Sequence, residues 1–99
     1  MSIFTTEVIT SEIINVFISD DTLRVDLEDG RSVSVPLTWY PRLSSATPEE
    51  RSHWRVIGRG EGIHWLDLDE DISVENIILG RTSGESQQSL LRWMENRKR

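Results

Sequence analysis

Two groups of residues in this chain have the types and spacing to do chemistry. The first is His64-Trp65-Leu66-Asp67-Leu68-Asp69-Glu70-Asp71, which sets an imidazole beside an indole and follows them with closely spaced carboxylates. An imidazole exchanges protons near neutral pH and an indole stacks on flat ligands, so His64 could act as a general base with Asp67 or Asp69 orienting it. A lone His without a Cys or a Ser-based triad reads first as a structural hydrogen-bonding residue, and the chain is expected not to be an enzyme. His53 reads as solvated surface. Asp67, Asp69 and Asp71 imitate the first ligands of a calcium loop, but Ile72 occupies the position that needs glycine and Ile78 the position of the closing Glu. No metal or cofactor is therefore expected. The carboxylates instead suit the positive N-terminal end of a helix starting after Ser73, or form a negative patch for a basic partner.

The second group is recognition chemistry. Trp39, Tyr40 and Arg42 cluster in a non-repetitive stretch, and aromatic and Arg residues dominate protein-binding hot spots. The competing reading puts Trp39 in a small core and pairs Arg42 with an acidic neighbour. Near the end of the chain, Leu90, Leu91, Trp93 and Met94 are too apolar to stay solvated on a short helix, and helices below about 12 to 15 residues are marginal in water. They must dock on the body, on a second copy, or on another protein. Gly58-Arg59-Gly60-Glu61-Gly62 only superficially resembles a phosphate loop, since its spacing is wrong and no lysine completes it.

Charge distribution narrows the partners. The net charge of −6 over 99 residues hides a division at Gly80. Residues 1–80 hold six Arg and no Lys against fifteen acidic residues, a net of −9, whereas residues 81–99 carry +3. An acidic body repels phosphate backbones, so nucleic acid is an unfavourable ligand and a basic protein surface a favourable one. With 36% apolar residues and four Trp the chain can form one small core, and with no Cys it excludes disulfides, thiolate metal sites and thiol chemistry. No stretch approaches the roughly 20 apolar residues of a membrane span, and the first residues lack the pattern of a signal peptide, so a cytoplasmic location is expected.

The elements that must position these groups are readable in outline. Val16 and Ile18, Leu23 to Leu27, and Val33 to Leu37 show the alternation of half-buried strands. A three-residue turn Glu28-Asp29-Gly30, with Gly30 left-handed, places Val25 opposite Val33 and Leu23 opposite Val35; a two-residue turn would throw the apolar rows onto opposite faces. Across the earlier turn Val16 meets Val25 and Ile18 meets Leu23. Ile14 joins that apolar row, while Ile13 and Phe17 partly cover the other side. Pro36 ends the third strand. Thr38 to Leu43 reads as a packed turn or short helical corner, and Thr47-Pro48-Glu49-Glu50 is a capping box opening a helix that runs to about Trp54 or beyond. A fourth strand spans Ile63 to Leu68 and is stopped by Asp69-Glu70-Asp71. Ser73 caps a helix from Val74 to Leu79 that ends at Gly80, and a last helix runs from Gln87 to about Asn96. The expected fold is α+β: a meander of three strands plus a fourth, two short helices, and a C-terminal helix. Residues 1–80 form the domain and 81–99 a linker and amphipathic basic helix.

Five motifs occur in order: Asp29-Gly30-Arg31; Val35-Pro36-Leu37; Trp39-Tyr40-Pro41-Arg42-Leu43; Ala46-Thr47 with Glu50-Arg51; and Gly62-Ile63-His64-Trp65 with Leu68-Asp69-Glu70-Asp71-Ile72. Over about residues 8–80 the chain thereby resembles the bacterial domain-of-unknown-function family numbered 2442. One departure is Leu66, where the family pattern favours Pro. The resemblance implies a small α+β domain without established catalytic activity, often encoded beside a second small protein in a layout similar to toxin and antitoxin modules. The expectation is a protein-binding module, antitoxin-like, with a small basic protein as partner and the C-terminal helix as a site of homo-oligomer formation. A DNA-associated regulator acting as an oligomer through Arg97, Lys98 and Arg99 is the second reading, and a small enzyme using His64 the third.

Overall fold

A computed structural model describes residues 10–97. Strands β1 (Ile13–Ile18), β2 (Thr22–Leu27) and β3 (Ser32–Pro36) form one antiparallel sheet in that order. A short 3-10 turn (Leu37–Trp39) and helices α1 (Pro41–Ser44) and α2 (Pro48–Ser52) lead to a second antiparallel sheet of β4 (Trp54–Ile57), β5 (Gly62–Trp65) and β6 (Glu70–Ser73). Helices α3 (Val74–Leu79) and α4 (Gln87–Arg97) follow. The fold is α+β, as the sequence pattern predicts.

The first sheet keeps its expected register. Val16 pairs with Val25, Ile18 with Leu23, Leu23 with Val35 and Val25 with Val33. Leu27 N–H donates to the Arg31 carbonyl at 2.8 Å, closing a three-residue turn in which Gly30 has φ 96. At the start of β1 the expectation fails. The register shifts between Ile13 and Asn15, a bulge that leaves Ile14 the extra residue; Ile13 turns into the core and Ile14 out to solvent. Phe17 also faces outward, its ring stacked under the Arg24 guanidinium at 4.1 Å.

The second sheet has more strands than the sequence pattern suggests. The helix opened by the Thr47 capping box stops at Ser52, and Trp54 begins a strand instead of continuing the helix. The carboxylates that were expected to stop a strand form one: Glu70 and Asp71 belong to β6, reached by a tight turn over Leu66 to Asp69 in which Asp69 takes φ 50. Leu68, inside that turn, is fully buried. Ser73 accepts from the Asn76 amide at 3.1 Å and Gly80 closes α3 at φ 73, both as expected.

One core joins the sheets. Leu23, Val25, Leu27 and Val35 meet Ile63, Trp65 and Ile72 of the second sheet, with Leu37, Leu43, Val74 and Ile77 completing it. The sheets touch directly where the Ile13 amide donates to the Gly60 carbonyl at 2.9 Å. A Cβ on Gly60 would lie 2.7 Å from that of Glu12, so only glycine allows this approach.

Candidate interaction surface

The sequence singles out Trp39, Tyr40, Arg42, His64, Trp65, Asp67, Asp69, Asp71, Leu90, Leu91, Trp93 and Met94, and the structure divides them. Tyr40 and Trp65 lie in the core, at 3% and 0% exposure, which removes them from any binding surface. Cross-strand pairing with Trp54 turns the Trp65 ring inward, and its Nε1 donates to the Arg51 carbonyl at 3.1 Å. Tyr40 donates through its hydroxyl to the Arg81 carbonyl at 3.4 Å. Trp39 is half-buried and packs against the core.

Arg42 gathers the remaining tail residues. Its guanidinium donates to both oxygens of Glu85, the shortest contact being 2.7 Å, and also to the Leu68 carbonyl at 3.0 Å. The same group lies over the Trp93 ring at 5.1 Å, and Arg97 covers that ring at 4.5 Å. Arg97 in turn pairs with Glu50 of α2. The C-terminal helix is thus docked on the body of its own chain through Trp93, which meets two cations, and is tied at each end by a carboxylate. Leu90 is half-buried. Leu91, at 56% exposure, and Met94, at 36%, remain outside as a short apolar stripe of helical spacing. Sequence reasoning left Arg42 open between core pairing and recognition; its carboxylate partner lies across the linker, 43 residues away, and no local spacing could reveal it.

Both histidines are paired, though differently from the sequence expectation. His64 faces Asp71 across β5 and β6, with Nδ1 2.5 Å from the carboxylate, because the register sets these two residues opposite each other. Asp67 instead meets His53 at 2.6 Å, and Asp69 projects into solvent on a left-handed residue. The expected pairing of His64 with Asp67 or Asp69 is therefore replaced by His64–Asp71 and a separate His53–Asp67 pair. Such a carboxylate orients the imidazole ring through its Nδ1. No cluster of three His, Cys, Asp or Glu side chains able to hold a metal occurs among the described residues.

The group whose setting sequence reasoning missed is Glu70. On β6 it pairs with buried Trp65, so its carboxyl turns toward the core side of the sheet. Burial pushes its pKa up to about 7; Arg42 opposes this, and Glu85, Asp71 and Asp69 reinforce it. The only signal in the sequence is its place two residues before Ile72, on the inward row of a strand that its acidic composition disguises.

The surface left after these pairings is acidic. Of the six body arginines, Arg24, Arg31, Arg42 and Arg51 are bound to Asp26, Asp29, Glu85 and Asp20. The exposed carboxylates Asp67, Asp69 and Asp71 stand on the second sheet and its turn, and Asp20 and Asp21 on the first; Asp20 meets Arg51, and Asp67 and Asp71 meet histidines, without being covered. No helix among the described residues is long and apolar enough to cross a membrane.

Comparison with known proteins places this architecture. The crystal structure of a protein of unknown function from Rhodospirillum rubrum ATCC 11170 is similar, with a TM-score of 0.67 and 24% identity, covering 79% of this chain and 96% of that one. At that identity the likeness speaks for the fold. No curated protein matches the chain. Residues 13–83, from the first strand to just past α3, match the family described as protein of unknown function (DUF2442), and the chain belongs to that family.

Proposed function

We propose that this chain is a protein-binding module whose acidic body receives a small basic protein, as the antitoxin-like member of a two-gene pair would. The observation that carries the reading is the excess negative charge of the body: a net of −9 over residues 1–80, only partly offset by the +3 of the tail that docks on it. Surface charge of one sign steers an oppositely charged partner into contact and fixes its orientation. Leu91 and Met94 add an exposed apolar stripe on the docked helix itself.

Affinity purification of the tagged full chain from its native host tests this, beside a variant carrying Leu91→Glu and Met94→Glu. A basic protein retained in constant ratio by the full chain, and released as salt is raised, supports the reading. Loss of that protein from the variant assigns the stripe to the contact. Recovery of the chain with only further copies of itself favours a homo-oligomer through α4 and counts against the basic partner.

A further inference from the structure

The two sheets meet at one end and part at the other. Ile13 bonds to Gly60 where β1 begins, whereas at its far end β1 is separated from α2 and β4 by a cleft of about 300 Å³. Val16, Ile18 and Ser19 form one wall, and Arg51, Ser52 and Trp54 the other. Both strands bordering it lie at the edges of their sheets.

Main-chain direction decides what such a cleft can hold. In an antiparallel ladder, alternate residues turn their N–H and C=O groups away from the partner strand. The Ser19 amide bonds to the Thr22 carbonyl, so alternation turns Val16 and Ile18 outward on β1. The Leu66 amide bonds to the His53 carbonyl, so the same alternation turns Trp54 and Val56 outward on β4. The Val16 amide takes the Asn15 side chain as its acceptor, at 2.9 Å, as an unpaired edge group would. Edge strands with free main-chain groups are templates for a further strand.

We propose that an extended, basic segment of the partner protein adds as a strand to the edge of β1 inside this cleft. Its charge follows from the mouth. Asp20, whose side chain is fully exposed and only loosely paired with Arg51 at 3.7 Å, lines the cleft, and exposed Asp21 follows it in the chain. Arg51, the one cation in the wall, donates to the carbonyls of Leu43 and Ser44. Trp54, half-buried, offers an apolar wall to one inward side chain of the added strand, and the carboxylates meet Lys or Arg of the other row. This inference rests on the chain's being a protein-binding module, and adds the surface and the backbone form of the partner.

The test uses the full-length, isotope-labelled chain and a blocked peptide of alternating Lys and Val, with its N-methylated counterpart as control. Strand addition predicts shifted and slowly exchanging amides at Ile18 and its neighbours, binding about tenfold weaker for the N-methylated peptide, and a several-fold loss in Asp20→Lys. Equal binding of both peptides, with shifts elsewhere on the acidic surface, would overturn strand addition and leave the basic-partner reading standing. Absence of any shift overturns the cleft as well, and the basic-partner reading then stands or falls on the native purification alone.

Discussion

Single residues carry the most local consequences. Gly60 has φ 79 and lies against the Glu12 backbone, so Gly60→Ala must both strain the turn and push the sheets apart. A loss of about 2 kcal/mol or more is expected, which for a domain of this size lowers the melting temperature by roughly 8 to 16 °C. Glu70 acts through its proton. Its pKa is raised from 4.5 to about 7 by burial, so between these values the folded chain holds a proton that the unfolded chain has released. Its contribution to stability is therefore fully present below about pH 4.5 and declines as pH rises through about 7. Glu70→Gln should be more stable than the parent at pH 8, with the advantage vanishing near pH 4.5, as followed by urea unfolding across that range. Arg42→Ala leaves the largely buried Glu85 without its bidentate partner and uncovers one face of Trp93. Undocking of α4 is expected, at a cost of about 1 to 3 kcal/mol, seen as faster hydrogen exchange in residues 87–97 with the sheets unchanged.

At the scale of elements, stability lies in caps as well as in the core. Thr47 accepts from the Glu50 amide at 3.1 Å while Glu50 accepts from the Thr47 amide at 2.9 Å. Thr47→Ala should cost about 1 kcal/mol in thermal unfolding, and more than an equivalent change at exposed Thr38. The capping box, the Ser73 cap, the Gly80 terminus and the bulged hairpin were legible because each depends on residues within a few positions of one another. What escaped depends on distant pairing. Trp54-Arg55-Val56 alternates as a strand does, but three residues cannot overrule a helix start just upstream; only the ladder with β5 settles it. β6 is composed of residues that avoid strands, and it exists because β5 supplies its hydrogen bonds and the core receives Ile72. The bulge that exchanges Ile13 for Ile14 likewise follows from contact with Gly60, which lies outside any local pattern. At the candidate surface the composition revealed the acidic character and the apolar tail, while the His64–Asp71 and Arg42–Glu85 pairs needed the fold.

The whole molecule is longer than its size requires. The radius of gyration is 14.7 Å, against about 12 to 13 Å for a compact chain of this length, and the longest extent is 56 Å. An acidic body, a basic helix held to it through one Trp, and two parted sheet edges give a partner several places to engage together. Charge neutralisation across such a surface would also raise stability, since anything that binds only the folded state does so. The most direct test of the central claim is native mass spectrometry of the complex purified from the host, with cross-links mapped onto the chain. The account predicts a basic protein in fixed stoichiometry, cross-linked to the body around Asp20 and the second sheet. A chain recovered alone, paired only with itself, or bound to an acidic protein would contradict it.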